Sequence, residues 1–160
     1  LLSDTGMRLA EAAGLAKEDV FLDTEIPYVR LCERRWRPLK TRSSKRDVPL
    51  VGAALWAATR AFENSPNEYL FPRYCSEQGC KADYASNSLN KWLRKHVPKG
   101  CVVHSFRHSM RDRLRAIECP SEVIDQIGGW TGVGEGQRYG LGSTNKRIWN
   151  WLSEVTRHTG

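Results

Sequence analysis

The sequence predicts a mainly α-helical domain with one small antiparallel β-sheet, an α+β fold, and three observations carry that expectation. Apolar residues recur at helical spacing over most of the chain, whereas short, partly alternating, β-branched stretches are confined to residues 20–50. Strand and helix signals do not alternate regularly, which argues against a doubly wound sheet.

Leu9, Ala12 and Ala13 fall at helical spacing, with Ser3 or Asp4 placed to cap the helix and Gly14 to stop it. The turn before it holds Gly6 and delivers Arg8. "VFLDT", "PYVRLCE" and "RDVPL" then read as the strands of the antiparallel sheet, separated by polar or Pro-containing stretches. From Gly52 onward Leu55, Ala58 and Phe62 mark a helix, and Leu89, Trp92 and Leu93 mark another. Between them "SPNEYLFPRYCSEQGCKADYAS" reads as a flexible loop.

Phe106, Met110, Leu114 and Ile117 recur along one face of a further helix, which Pro120 closes. Ser121 is placed to cap a short helix through Val123, Ile124 and Ile127, which Gly128 and Gly129 end. A glycine-rich loop, "WTGVGEGQRYG", follows. The last helix carries Ile148, Trp151, Leu152 and Val155 as its apolar stripe.

At 160 residues, with 40% hydrophobic content and six tryptophans, the chain is large enough for one compact domain spanning 1–160. It opens inside a helical pattern without an initiator methionine, as an excised domain would. Lys and Arg total 25 against 18 Asp and Glu, a net charge of +7, which favours a polyanionic partner. No run approaches the roughly 20 apolar residues of a membrane span, and no leader opens the chain. A soluble, cytoplasmic protein is expected. Cys32, Cys75, Cys80, Cys101 and Cys119 are odd in number and irregularly spaced, so free thiols are expected. Cys75 and Cys80 with His96 and Cys101 match no common zinc-finger spacing.

The stretch "HSFRHSMRDR" concentrates the chemistry. With Phe106, Met110 and Leu114 facing the core, His104 and Arg107 become neighbours near a helix start, where partial positive charge and free N–H groups welcome an anion such as phosphate. A solvated amphipathic helix is the plainer reading of these residues alone. Their order within the chain argues further. "TGMRLAE" places Arg8 with Glu11 three residues on; "KTRSSKRDVPL" carries Lys40 and Lys45; "HSFRH" gives His104, Arg107 and His108; "IGGW" gives Trp130; "RYG" gives Tyr139.

This ordered set resembles the catalytic domain of the tyrosine recombinases, the phage integrase family, over nearly the whole chain. Trp130 stands where many members have histidine, and its indole N–H is still a donor. Full-length members carry an N-terminal DNA-clamping domain ahead of the position of Leu1, so the resemblance implies that 1–160 is the catalytic domain seen apart from it. The resemblance implies the tyrosine recombinase catalytic-domain fold. It also implies a site-specific recombinase of a phage or mobile element, which cleaves and rejoins DNA through a covalent 3′-phosphotyrosyl intermediate.

The implied roles follow the chemistry. Tyr139 is the nucleophile; its ester stores the bond energy, and the freed 5′-hydroxyl later reseals DNA without ATP. Arg8 and Arg107 are forked, permanently charged donors for the non-bridging oxygens of the scissile phosphate. Lys40 protonates the leaving 5′-oxygen; alignment with the family's hairpin pattern favours it over Lys45, and a solvated turn is the alternative for either. His104 is the acid–base partner of the tyrosine. Trp130 donates to a phosphate oxygen or packs the site shut, with plain core packing the alternative. Glu11 is placed to orient Arg8, and His108 supports the site.

Arg35, Arg42, Lys45 and Arg46, with Arg34 and Arg37 nearby, are expected to meet backbone phosphates. No acidic cluster suggests a metal, so no cofactor is expected. The implied partners are double-stranded DNA attachment sites, other protomers in a tetramer on DNA, and accessory DNA-bending proteins, with the protein at the host nucleoid and no membrane involved. The final apolar stripe, with Trp149, would dock on a neighbouring protomer or on its own domain. Two other readings stand beside this one: a type IB topoisomerase-like enzyme, and a non-catalytic helical DNA-binding domain in which "SEVIDQIGGW" serves as part of a helix-turn-helix.

Overall fold

The computed structural model describes residues 1–130 and 144–158, the Arg42 side chain excepted. A 3-10 turn, Leu2–Asp4, precedes helix α1, Leu9–Ala13. Strands β1, Val20–Phe21, β2, Tyr28–Leu31, and β3, Arg46–Pro49, form an antiparallel sheet in the order β1-β2-β3. In β2, Val29 and Leu31 are buried while Arg30 faces out and pairs with Asp47 across the ladder at 2.9 Å. Helix α2, Gly52–Asn64, follows, then a hairpin of β4, Cys75–Ser76, and β5, Gly79–Cys80. Four further helices complete the described chain: α3, Ala82–Leu93; α4, Ser105–Ala116; α5, Ser121–Gly128; and α6, Asn145–Arg157.

Two apolar clusters hold these elements. Met7, Leu15, Val29, Leu31, Val48, Leu50 and Ala54 tie α1 and the sheet to α2. Met110, Leu114, Val123, Ile127, Ile148 and Leu152 tie α4 to α5 and α6. Val51, the residue after Leu50, belongs to the second cluster, so the end of the sheet passes from one cluster to the other. The loops that carry charge converge along this seam. The stripe on α6 packs on its own domain: Ile148, Leu152 and Val155 are buried there.

Several local expectations are corrected. Neither Ser3 nor Asp4 caps α1; the Asp4 carboxylate accepts from the Ala53 N–H at 3.0 Å and so caps α2, while the α1 cap position belongs to Arg8. Residues 65–86 do not form a loop without structure. Tyr69, Leu70 and Cys75 are buried, the β4–β5 hairpin lies within the segment, and α3 begins inside it. Short strands and a buried aromatic among Pro, Gly and charged residues leave too little periodicity for a sequence signal. Ser121 is the first residue of α5 rather than its cap, a position held by Pro120. Phe106 is 36% exposed; Val103 fills the core position ahead of Met110, and Phe106 lines an apolar groove with Leu9, Leu89 and Trp92.

Candidate active site

The Gly6 turn is built for close approach. Gly6 has a φ of 63°, and a Cβ there would lie 3.1 Å from Met110 Cγ, so only glycine lets the turn rest on α4. Its carbonyl accepts from Arg107 Nη1 at 2.5 Å. Two residues on, the Arg8 N–H donates to Glu11 Oε2 at 2.9 Å, one half of a capping box. The Arg8 guanidinium donates to Glu11 Oε1 at 2.8 Å, to Ser44 Oγ at 2.9 Å and to the Gly129 carbonyl at 3.4 Å. Glu11 is 3% exposed and meets these donors inside the protein.

The connection between β2 and β3 contributes from a second side. Thr41, Ser43 and Ser44 hydrogen-bond among themselves through their hydroxyls, and Ser43 Oγ reaches the Gly129 carbonyl at 3.3 Å. Lys40 immediately precedes this cluster and is exposed, as is Lys45. The Lys40 charge reaches His104, where it contributes to the lowered pKa of that ring.

The end of α5 contributes from a third side, and its two glycines have separate tasks. A Cβ on Gly128 would lie 2.0 Å from the Trp130 ring, so the indole rests directly on the Gly128 backbone. Gly129 takes a left-handed φ of 61°, and a Cβ there would lie 2.7 Å from Arg46 Nη1. The Trp130 ring is covered by Arg107 at 4.4 Å and Arg111 at 5.2 Å, both within cation–π range.

Helix α4 supplies the fourth side. His104 occupies its cap position, and its ring meets His108 at 4.9 Å, edge to face. Burial, then His108, Arg107, Arg8 and Lys40, hold the His104 pKa below its ordinary value, so the ring is neutral at pH 7. Arg107 is 4% exposed, and its Nη2 has no hydrogen-bond partner among the described residues. Burial and the charge of Arg8 lower its pKa to about 10.

The described chain thus brings Arg8, Glu11, Arg107 and Trp130 into one charge-linked cluster, with Lys40, His104 and His108 at its edge. Tyr139 lies outside the described residues. Among the expected phosphate contacts Arg35 and Lys45 are exposed. Arg46 is not a surface residue: its side chain is 5% exposed and bonded to Glu11 at 3.1 Å. Arg37 is likewise buried, bonded to Asp19 at 2.9 Å, and Arg34 pairs with Asp19 at 2.7 Å. Sequence reasoning treated a basic run as one surface because it does not reveal which acidic residue lies beneath each arginine. Two residues were missed. Arg111 is one helical turn from Arg107, a spacing that pointed to the site; the seat that Gly128 forms for Trp130 carried no sequence signal beyond a helix stop.

The chain belongs to the phage integrase family, whose model matches residues 1–144. Two solved structures are similar to it. One is the Tn1549 transposon integrase in complex with transposon right end DNA, at 20% identity over 99% of this chain and 57% of that chain, with a TM-score of 0.58. The other is the XerA recombinase, at 21% identity over 99% of this chain and 56% of that chain, with a TM-score of 0.57. The mainly α fold with its small antiparallel sheet, expected from the sequence, is the fold shared with these proteins. This chain therefore spans a little over half the length of the similar structures. No curated protein matches it by sequence.

Proposed function

We propose that this chain is the catalytic domain of a site-specific DNA recombinase, an integrase that cleaves and rejoins strands through a 3′-phosphotyrosyl intermediate. The observation that carries the reading is Arg107: a buried guanidinium whose Nη2 has no hydrogen-bond partner among the described residues, beside a second guanidinium and with its pKa lowered to about 10. A desolvated cation repelled by another cation gains most from an anion, and a phosphodiester is the anion that two forked donors fit. Membership of the integrase family and the DNA held by the similar Tn1549 integrase point to the same substrate.

In this mechanism Arg8 and Arg107 donate to the non-bridging oxygens of the scissile phosphate, and Trp130 packs against Arg107 or adds its indole N–H. Tyr139 Oη attacks phosphorus and forms the new P–O bond, with its proton passing to the neutral His104 ring. The bond from phosphorus to the 5′-oxygen breaks, and Lys40 gives that oxygen its proton. Reversal with a different 5′-hydroxyl completes strand exchange without ATP. The two arginines and Lys40 neutralise the phosphate charge, so no cofactor enters the scheme. Lys40 is preferred to Lys45 by the family's hairpin pattern, and its charge contributes to the lowered pKa of His104.

Exposed Arg35 and Lys45, with Arg42, hold the flanking DNA backbone. Assembly of protomers at the attachment site and accessory DNA-bending proteins belong to the same proposal. So does a location with the DNA in the cytoplasm.

The test is covalent trapping on nicked suicide duplexes bearing the element's junction. Wild type should give a denaturation-resistant protein–DNA adduct and Tyr139→Phe none. Binding without any adduct from the complete protein would contradict the reading.

A further inference from the structure

Arg46 was expected on the DNA-facing surface, and its buried position gives it a different task. Nε donates to the Ile127 carbonyl at 2.9 Å, Nη1 to the Ser44 carbonyl at 2.8 Å, and Nη2 to Glu11 Oε2 at 3.1 Å. One planar fork therefore bonds α1, the connection between β2 and β3, and the end of α5. Those three elements carry Arg8, Lys40 and Trp130. Gly129 makes the fit possible, since a Cβ there would lie 2.7 Å from Arg46 Nη1.

We propose that Arg46 is a positioning residue for DNA strand cleavage, acting through Glu11 on Arg8 and through its two carbonyl contacts on the loops that carry Lys40 and Trp130. The proposal rests on the recombinase reading above. Glu11 is the link: as a carboxylate it accepts from both the Arg8 backbone N–H and the guanidinium, one oxygen to each, and protonation would cost it the charge and one of those acceptors. Burial alone would push a glutamate toward its protonated form; Arg46, the strongest opposing influence on Glu11, keeps it ionised. Removing Arg46 therefore lets Glu11 take up a proton and release Arg8 at a pH where the wild type is intact. A lysine at this position preserves the charge but cannot hold a carboxylate and two carbonyls at once.

The experiment measures single-turnover adduct formation at saturating junction DNA across about pH 5 to 9, with DNA affinity and thermal unfolding measured in parallel. Arg46→Met should slow adduct formation at pH 7 by about tenfold or more while leaving DNA affinity nearly unchanged. Its acid-side loss of activity should move up past the limb that His104 sets in wild type, as a buried carboxyl group without its cation requires. Adding Glu11→Gln to Arg46→Met removes the titrating group and should abolish that upward movement. Arg46→Lys should restore the wild-type acid limb and remain slower than wild type; it is the variant that decides the matter if Arg46→Met does not fold.

An Arg46→Met rate that falls only with the folded fraction and keeps the wild-type acid limb would overturn the proposal. So would Arg46→Lys at the wild-type rate. Wild type that binds the junction and gives no adduct would instead overturn the recombinase reading itself, which separates the two failures.

Discussion

Among the described residues two of the buried carboxylates, Asp19 and Glu11, each lie between a pair of arginines, and the two clusters differ in how their charges are balanced. Asp19, 0% exposed, accepts from Arg34 at 2.7 Å, from Arg37 at 2.9 Å and from the Ala16 N–H at 3.1 Å. Arg37 also donates to the carbonyls of Gly14 and Cys32, its Nε keeping no hydrogen-bond partner among the described residues, and Arg34 also pairs with Glu18. Glu11 sits between Arg8 and Arg46 in the same manner. There, however, a third guanidinium, Arg107, lies close enough to be repelled by Arg8, the strongest charged influence on it. The electrostatics diverge accordingly. Although burial opposes its charge, Arg34 is held above its ordinary pKa by Asp19, whereas burial and Arg8 take Arg107 down to about 10. Arginine count does not distinguish a structural cluster from a candidate active site, and an unpartnered donor alone does not either, since Arg37 Nε also has no hydrogen-bond partner among the described residues; a buried guanidinium whose strongest charged influence is another guanidinium does.

The comparison can be broken most forcefully at Asp19. Asp19→Ala leaves Arg37 buried with no carboxylate, and removing one partner of a buried pair costs about 3–5 kcal/mol. A large fall in the denaturant midpoint should show it, and an unchanged midpoint would mean that the cluster does not hold the fold. Arg107→Ala should act on the other side of the comparison, cutting cleavage by about 100- to 1,000-fold, the range for loss of one charge-stabilising donor. Single-turnover adduct rates at saturating DNA would measure it.

Gly128→Ala comes next. Its Cβ would lie 2.0 Å from the Trp130 ring, so the indole must move, at a cost of about 1–3 kcal/mol typical of overpacking. Quenching or shift of Trp130 fluorescence, read against a Trp130→Phe background, should report the displacement, and adduct formation should fall with it.

A smaller effect concerns pH. The neutral His104 ring is the form present above its pKa, and that pKa is lowered by burial and by the cations around it. Cleavage that uses His104 as a base should therefore persist to below the ordinary histidine value of about 6.5 and fail only in more acid solution. Arg8→Ala removes one of those cations, so whatever cleavage remains should fail at a higher pH than in wild type. The smallest effect is expected at the surface, where Arg35→Ala and Lys45→Ala should each reduce the salt dependence of DNA binding by about 0.9 in log–log slope.

The parts of this account that were legible in the sequence share a property: each depends on neighbours along the chain. Met110 and Leu114 sit at helical spacing and are buried. Glu11 lies three residues from Arg8 and bonds it. Gly14 ends α1 as expected. What escaped the sequence depends on contacts between distant segments. Arg46 and Ile127 are 81 residues apart, and Arg107 and Gly6 are 101 apart. No local pattern separates Arg46, bonded inward, from its exposed neighbour Lys45. The hairpin of Cys75–Ser76 and Gly79–Cys80 is too short for a period to develop. The candidate site was legible as a set of residues in order, but the division of its arginines into positioning and anion-facing groups required the fold.

The most direct test of the central claim replaces one non-bridging oxygen of the scissile phosphate with a methyl group, which removes the negative charge and leaves the reacting bonds in place. If Arg107 acts by neutralising that charge, Arg107→Ala should form the covalent adduct far faster on the methylphosphonate duplex than on the phosphate duplex, relative to wild type. Equal impairment of Arg107→Ala on both duplexes would contradict it, and would place Arg107 with Arg37 among the arginines that only hold the fold.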